Sequence, residues 1–217
     1  MDFGKAFTFV FDDPDWLKKV AINALIGLIP LIGQIYLLGW GLEVARRIAT
    51  RSGIPLPDVD FGTYLGHGFK AFVVTLVYTV PIFVITIPMV VVAVLVENAG
   101  IDRDVASVIL LVVNLGGGLL MLVYSLVMGL LLPAAMTRAV IFGSIRDGLQ
   151  FGQVFGLVRA APVAYLLTLV GTLLAGLLAS LVGSLACGVG IIFTLAYQQL
   201  VMGHFYGQAY LEGSARA

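Results

Sequence analysis

The chain has 217 residues, 60% hydrophobic and only 11% charged, with 12 Lys+Arg balanced by 12 Asp+Glu. A soluble domain carries about 25% charged residues, so the composition excludes an ordinary water-soluble globule, and the charge balance argues against nucleic acid as a partner. One Cys excludes an intrachain disulfide, and with two His it leaves too few ligands for a structural zinc site.

The N-terminal stretch reads as an entry to the membrane surface. In "DDPDW", Asp13 is placed as an N-cap, Pro14 as the first helical residue and Asp15 as a complement to the helix dipole. Trp16 then sits at headgroup depth. No cleavable signal is read, because no small-x-small cleavage site follows the first apolar run. That run, 20–44, is long enough to span once, but Pro30 and Gly33 interrupt it and Lys5, Lys18 and Lys19 precede it. With an N-terminus on the cytoplasmic side, the run must enter and leave by one face as a broken, re-entrant helical element.

Four stronger spans follow at 71–96, 105–137, 162–186 and 189–210, none containing Asp, Glu, Lys or Arg. Pro81 and Pro88 fall seven residues apart in the first and read as kinks. The links alternate in charge: Arg46, Arg47, Arg51 and Lys70 precede the first span, three acids and one Arg fill 97–104, and Arg138, Arg146 and Arg159 fill the next link beside Asp147. Basic residues mark the cytoplasmic side. The expected protein is thus a multi-pass protein of the cell (cytoplasmic) membrane, both termini cytoplasmic.

"FGKAF", "FGTYL" and "FGQVF", at 3–7, 61–65 and 151–155, each open on Phe-Gly and lead into an apolar run. They divide the single membrane domain, 1–217, into three units, 3–60, 61–150 and 151–217. Their apolar residues follow helical spacing, as expected of short amphipathic helices in the headgroup layer. Trp16, Phe61, Leu65, Lys70, Phe155 and Arg159 are the expected lipid contacts. Phe69 joins Phe61 and Leu65 on the outward face.

The third span carries two adjacent registers of small residues spaced by four. Gly171, Ala175, Ala179, Gly183 and Cys187 form one; Thr172, Gly176, Ser180, Ser184 and Gly188 form the other. Small residues let helix backbones approach in lipid, so this is a helix-packing face, with the 189–210 segment as one partner. Asn114, before Gly116–Gly118, together with Gln198 and Gln199, supplies polar contacts inside the spans. They serve as interhelical glue or, in the competing reading, as the lining of a path. His204 and the tyrosines of "HFYGQAY" read as interfacial anchors. No nucleophile elbow, phosphate loop or carboxylate pair occurs, so neither catalysis nor a cofactor is expected.

The stretches "FDDPDWLKK", "PLIGQIYLLGWGLEVARRI", "LPDVDFGTYLGHGFKAF" and "FYGQAY" resemble a prokaryotic membrane-protein family known as domain of unknown function 4013. Where that family has an aromatic residue after Leu-Pro, Asp58 stands here. The resemblance implies a polytopic fold and transfers no site. The expected architecture is an all-α, polytopic helical bundle of about four full transmembrane helices. Its expected role is structural, accessory or oligomer-forming, with the bilayer and a second copy or another membrane protein as partners. A small channel or facilitative transporter is the alternative.

Overall fold

The computed structural model describes residues 1–52, 56–185 and 189–217. Residues 53–55 of the Pro-rich loop and 186–188 of the last turn, with Cys187 and Gly188 of the small-residue face, lie outside the described residues. Among the described residues every regular element is helical: α1 (Phe3–Thr8) leading into a 3-10 turn (Phe9–Asp12), α2 (Trp16–Ile26), α3 (Ile32–Ala49), α4 (Phe61–Asn98), α5 (Arg103–Ile141), the single turn α6 (Ile145–Gly148), α7 (Phe151–Ala160), α8 (Pro162–Leu185) and α9 (Val189–Ser214). Phe3, Phe61 and Phe151 are the first residues of α1, α4 and α7, so the three Phe-Gly starts are helix starts. The chain forms two compact units, one of Met1–Thr75 with Leu130–Ala217 and one of Leu76–Gly129.

The apolar run 20–44 is broken, as its Pro30 and Gly33 predict. α2 ends at Ile26 and α3 begins at Ile32. The two helices fold back on each other: the Tyr36 hydroxyl donates to the Asn23 side-chain oxygen, and Gln34 Nε2 donates to the Gly27 carbonyl at 3.1 Å. The bend is apolar and uncovered, with Leu31 80% exposed, which suits a hairpin tip in hydrocarbon rather than in water. The entry to α2 differs from the expected cap. The helix begins at Trp16, and the Asp13 carboxylate accepts from the Asp15 backbone N–H at 2.8 Å and pairs with Lys19 at 2.7 Å.

In the larger unit α9 is the central helix, touched by α1, α2, α3, α7 and α8. α3 lies parallel to it: Gly41 meets Gln199 and Gly203, and Ala45 meets Gly207. The approach is backbone to backbone, since a Cβ on Gly203 would stand 1.9 Å from the Gly41 carbonyl oxygen. On another side of α3, a Cβ on Gly39 would stand 1.8 Å from the Tyr64 carbonyl oxygen of α4. Glycine is therefore required at both crossings. Around them Tyr36, Trp40 and Leu200 form one fully buried cluster, and Leu42, Val201 and Phe205 part of a second. Each such side chain contributes about 1.5–3 kcal/mol on burial.

Among the described residues three helices, α4, α5 and α8, are long and apolar enough to cross a membrane. The fourth expected span, 189–210, is a helix, but Gln198, Gln199, His204 and Gln208 dilute its apolar character, and from Ala196 onward α9 is largely packed inside. In the smaller unit α4 and α5 leave large apolar side chains outside, Val84 at 72% and Leu115 at 66% exposure. Only a nonpolar solvent makes that surface favourable. α4 runs unbroken through Pro81 and Pro88. It also absorbs the expected interfacial segment at 61–70 into one continuous helix.

Candidate functional site

Two clusters in the larger unit are built around a buried charged side chain, Glu43 and Arg138. The first begins on α3, where Glu43, Arg46 and Arg47 are spaced i, i+3 and i+4 and so share a face. Glu43 is 3% exposed. Its carboxylate accepts Arg46 Nη2 at 2.7 Å and Nε at 2.8 Å in a two-pronged pair, and Arg47 Nε at 3.0 Å. α4 adds His67, whose Nδ1 stands 3.5 Å from the same carboxylate. Residues 57–60, which lead into α4, are pinned beside this group. Trp40 Nε1 donates to the Pro57 carbonyl at 3.4 Å, the Tyr64 hydroxyl donates to the Asp58 carbonyl, and Asp60 caps α4 by accepting the Thr63 N–H at 3.1 Å. Lys19 of α2 reaches Asp58 at 2.8 Å as well as Asp13. The hydrogen bond and positive charge of Lys19 hold the Asp58 carboxyl below its ordinary value. Burial opposes the charge on Lys19, but the two carboxylates outweigh it and raise its value.

The second cluster is at the end of α5. Arg138, 6% exposed, is bracketed by α6 and α7 through the Asp147 carbonyl, Gln150 and Gln153. Neither arrangement positions a nucleophile against a base, and among the described residues no three His, Cys, Asp or Glu side chains could share a metal ion. What the Glu43 group does chemically is neutralise two guanidinium groups where helices meet. Both arginines and Glu43 belong to α3, so the pairing is within one helix, and α4 brings His67 alongside it, its value lowered by burial.

The residues singled out from sequence fall elsewhere. On α8 the first small register is buried: Gly171 lies against the Phe205 ring, and Gly183 against Ile191 and Thr194 of α9. Ala175 and Ala179 line a crevice of about 260 Å³ with Phe7, Leu178 and Tyr197. In the second register Gly176 lies near the Gln198 amide, whereas Ser180 and Ser184 are exposed. Asn114 lies within the unbroken α5 helix: its amide donates to the Leu110 carbonyl at 2.8 Å, and Gly117 packs against Met89. Gln198 Nε2 meets the Met202 sulfur at 3.7 Å, and the Gln199 backbone carbonyl lies against Gly41.

His204 is not an interfacial anchor. It is 6% exposed, its Nδ1 lies 2.7 Å from Gln208 Nε2, and its ring sits 4.6 Å from that of Phe9. Tyr206 and Tyr210 are buried too, because α1 and α7 cover this end of α9. Of the expected lipid contacts, Phe61, Phe155 and Arg159 are exposed. Trp16 is half-buried edge-on to Phe11, Lys70 is half-buried, and Phe61 stacks on Tyr36 at 5.3 Å. Leu65 turns partly inward onto the Tyr36–Trp40 cluster, since the Gly39–Gly68 crossing draws that face of α4 to α3, while Phe69 stays outside.

A family model described as a protein of unknown function, DUF4013, matches residues 22–188. The chain belongs to the DUF4013 family. No curated protein and no solved structure matches the chain. The DUF4013 segment contains Glu43, Arg46, Arg47, His67 and Arg138, while α1 and α9, which pack against each other, lie outside it. Sequence reasoning used Arg46, Arg47 and Arg138 only as topology markers and did not single out Glu43. The signal was present in both cases: a carboxylate three and four residues before two arginines in an apolar helix, and a lone Arg closing the uncharged stretch 105–137.

Proposed function

We propose that this chain is a non-enzymatic, multi-pass component of the cytoplasmic membrane, with both termini cytoplasmic. It acts by association, with the bilayer and with a second copy or another membrane protein. The observation that carries this reading is the use made of the polar residues in the apolar helices. The Asn114 amide bonds to its own helix and the Gln198 amide meets Met202 one turn along α9, so both serve the helices rather than a path. The charged groups around Glu43 are paired with one another within α3 rather than left open to a path. The exposed register of α8, with Ser180 and Ser184, offers a close-packing edge to a partner helix.

Two measurements on one purified sample test the reading. Native mass spectrometry from mild detergent should show a discrete complex above monomer mass. Liposomes containing the protein should pass small solutes and ions no faster than protein-free liposomes. Flux that disappears in a Gln198→Leu, Gln199→Leu variant would replace this proposal with a channel.

A further inference from the structure

Arg138 is a buried cation without a buried anion. Its Nε donates to the Asp147 carbonyl oxygen at 3.2 Å, and its Nη2 to Gln150 Oε1 at 3.2 Å and Gln153 Oε1 at 2.5 Å. The guanidinium lies over the Phe142 ring at 5.0 Å. Every one of these acceptors is neutral. Among the described residues no carboxylate stands within ion-pair distance of it. The nearby Asp147 carboxylate instead accepts from Gln150 Nε2 at 3.1 Å. Among the described residues, Nη1 has no protein acceptor.

A second orphan lies close by. The Tyr165 hydroxyl, on a side chain that is 0% exposed, has no hydrogen-bond partner. It is within electrostatic reach of Arg138, as is Tyr210. A guanidinium taken out of water and given only neutral partners keeps a charge that costs free energy until an anion meets it. With Nε and Nη2 engaged, Nη1 keeps two N–H donors, and a phosphate offers several charged oxygens to accept them. Glu43 shows how this fold treats its other guanidinium groups at a helix contact: it supplies the carboxylate itself. At Arg138 it does not.

We propose that the Nη1 edge of Arg138 is the receptor for a phosphate group, that of an anionic lipid head or of a free phosphate ion. Gln150 and Gln153 hold the guanidinium in place for it. The decisive variant is Gln153→Glu, a near-isosteric change at an exposed residue already bonded to Arg138. It gives Arg138 an internal anion. The full chain in dodecyl maltoside, a phosphate-free detergent, is titrated with dioleoyl phosphatidylglycerol and followed by native mass spectrometry. Inorganic phosphate is tested separately by thermal shift against chloride at equal ionic strength.

The wild type should retain the lipid or be stabilised by phosphate. Gln153→Glu should weaken whichever ligand binds by about tenfold or more and should raise Tm in ligand-free detergent. Arg146→Gln, a control on an exposed arginine of the same segment, should bind as wild type. Retention of phosphatidylglycerol without a phosphate effect assigns the lipid head; a phosphate effect without lipid retention assigns the free ion. Three results would overturn the proposal: neither ligand binds, Gln153→Glu binds as wild type, or Arg146→Gln weakens binding equally.

Discussion

Glu43 holds Arg46 and Arg47 by charge at a place where α3 is otherwise apolar, and removing it leaves two guanidinium groups without their carboxylate. Hydrogen bonds to a charged group contribute about 1.5–3 kcal/mol, and the partial exposure of both arginines keeps the loss at the low end. Glu43→Ala should therefore lower unfolding stability by that order in detergent, measured by denaturant titration. Arg51→Ala, at an exposed residue, should be nearly silent. The Lys19–Asp58 pair makes a smaller, pH-dependent contribution. Because the Asp58 value is depressed by Lys19, the pair stabilises the fold above the ordinary aspartate range, near pH 4, and the contribution is lost as pH falls through the depressed value. Asp58→Asn, which leaves the Lys19–Asp13 pair in place, should flatten the acid limb of a Tm-versus-pH curve below about pH 4. With Asp58 largely exposed, the difference at pH 7 should stay within about 1 kcal/mol for that pair. At this scale the sequence shows which residue types are scarce but not which meet. The approach of His67 to Glu43 depends on the α3–α4 crossing, which no local pattern encodes.

The helices are held by close backbone contact, and their glycines carry the sharpest expectations. Gly41 and Gly203 face each other so closely that a single methyl must displace a helix. Gly203→Ala should cost about 1–3 kcal/mol or more, whereas Gly116→Ala, where a Cβ meets nothing, should be neutral or slightly stabilising. Thermal unfolding of both variants checks this. On α8, Gly183→Leu should disturb the contact with Ile191 and Thr194, while Leu177→Ile on the exposed face should not. Equal behaviour of that pair would remove the packing role of the buried register. The hairpin break at 27–31 was legible because Pro30 and Gly33 interrupt an apolar run. The α8 face was legible from its fourfold spacing. The α3–α9 crossing also carries a spaced glycine pair, Gly203 and Gly207, but it is surrounded by aromatic and polar residues that read as a membrane edge. Likewise 61–70 looks interfacial from its Phe spacing, yet nothing stops the helix before Asn98, so it continues.

At the scale of the whole molecule, class and approximate span positions follow from composition, because long uncharged runs leave the backbone no alternative to helix in lipid. The place of α9 does not follow. Its apolar length equals that of a span, and only packing reveals that five helices use it as their common surface. We propose that the N-terminal α2–α3 hairpin turns back to the side of the membrane it came from, with both termini cytoplasmic. Single cysteines placed at Gly4, Ala99 and Ser144 in a Cys187→Ala background, exposed to a membrane-impermeant thiol reagent on intact cells, test it most directly. Labelling is expected at position 99 alone. Labelling at position 4 would mean that 20–44 crosses once and would contradict the hairpin topology.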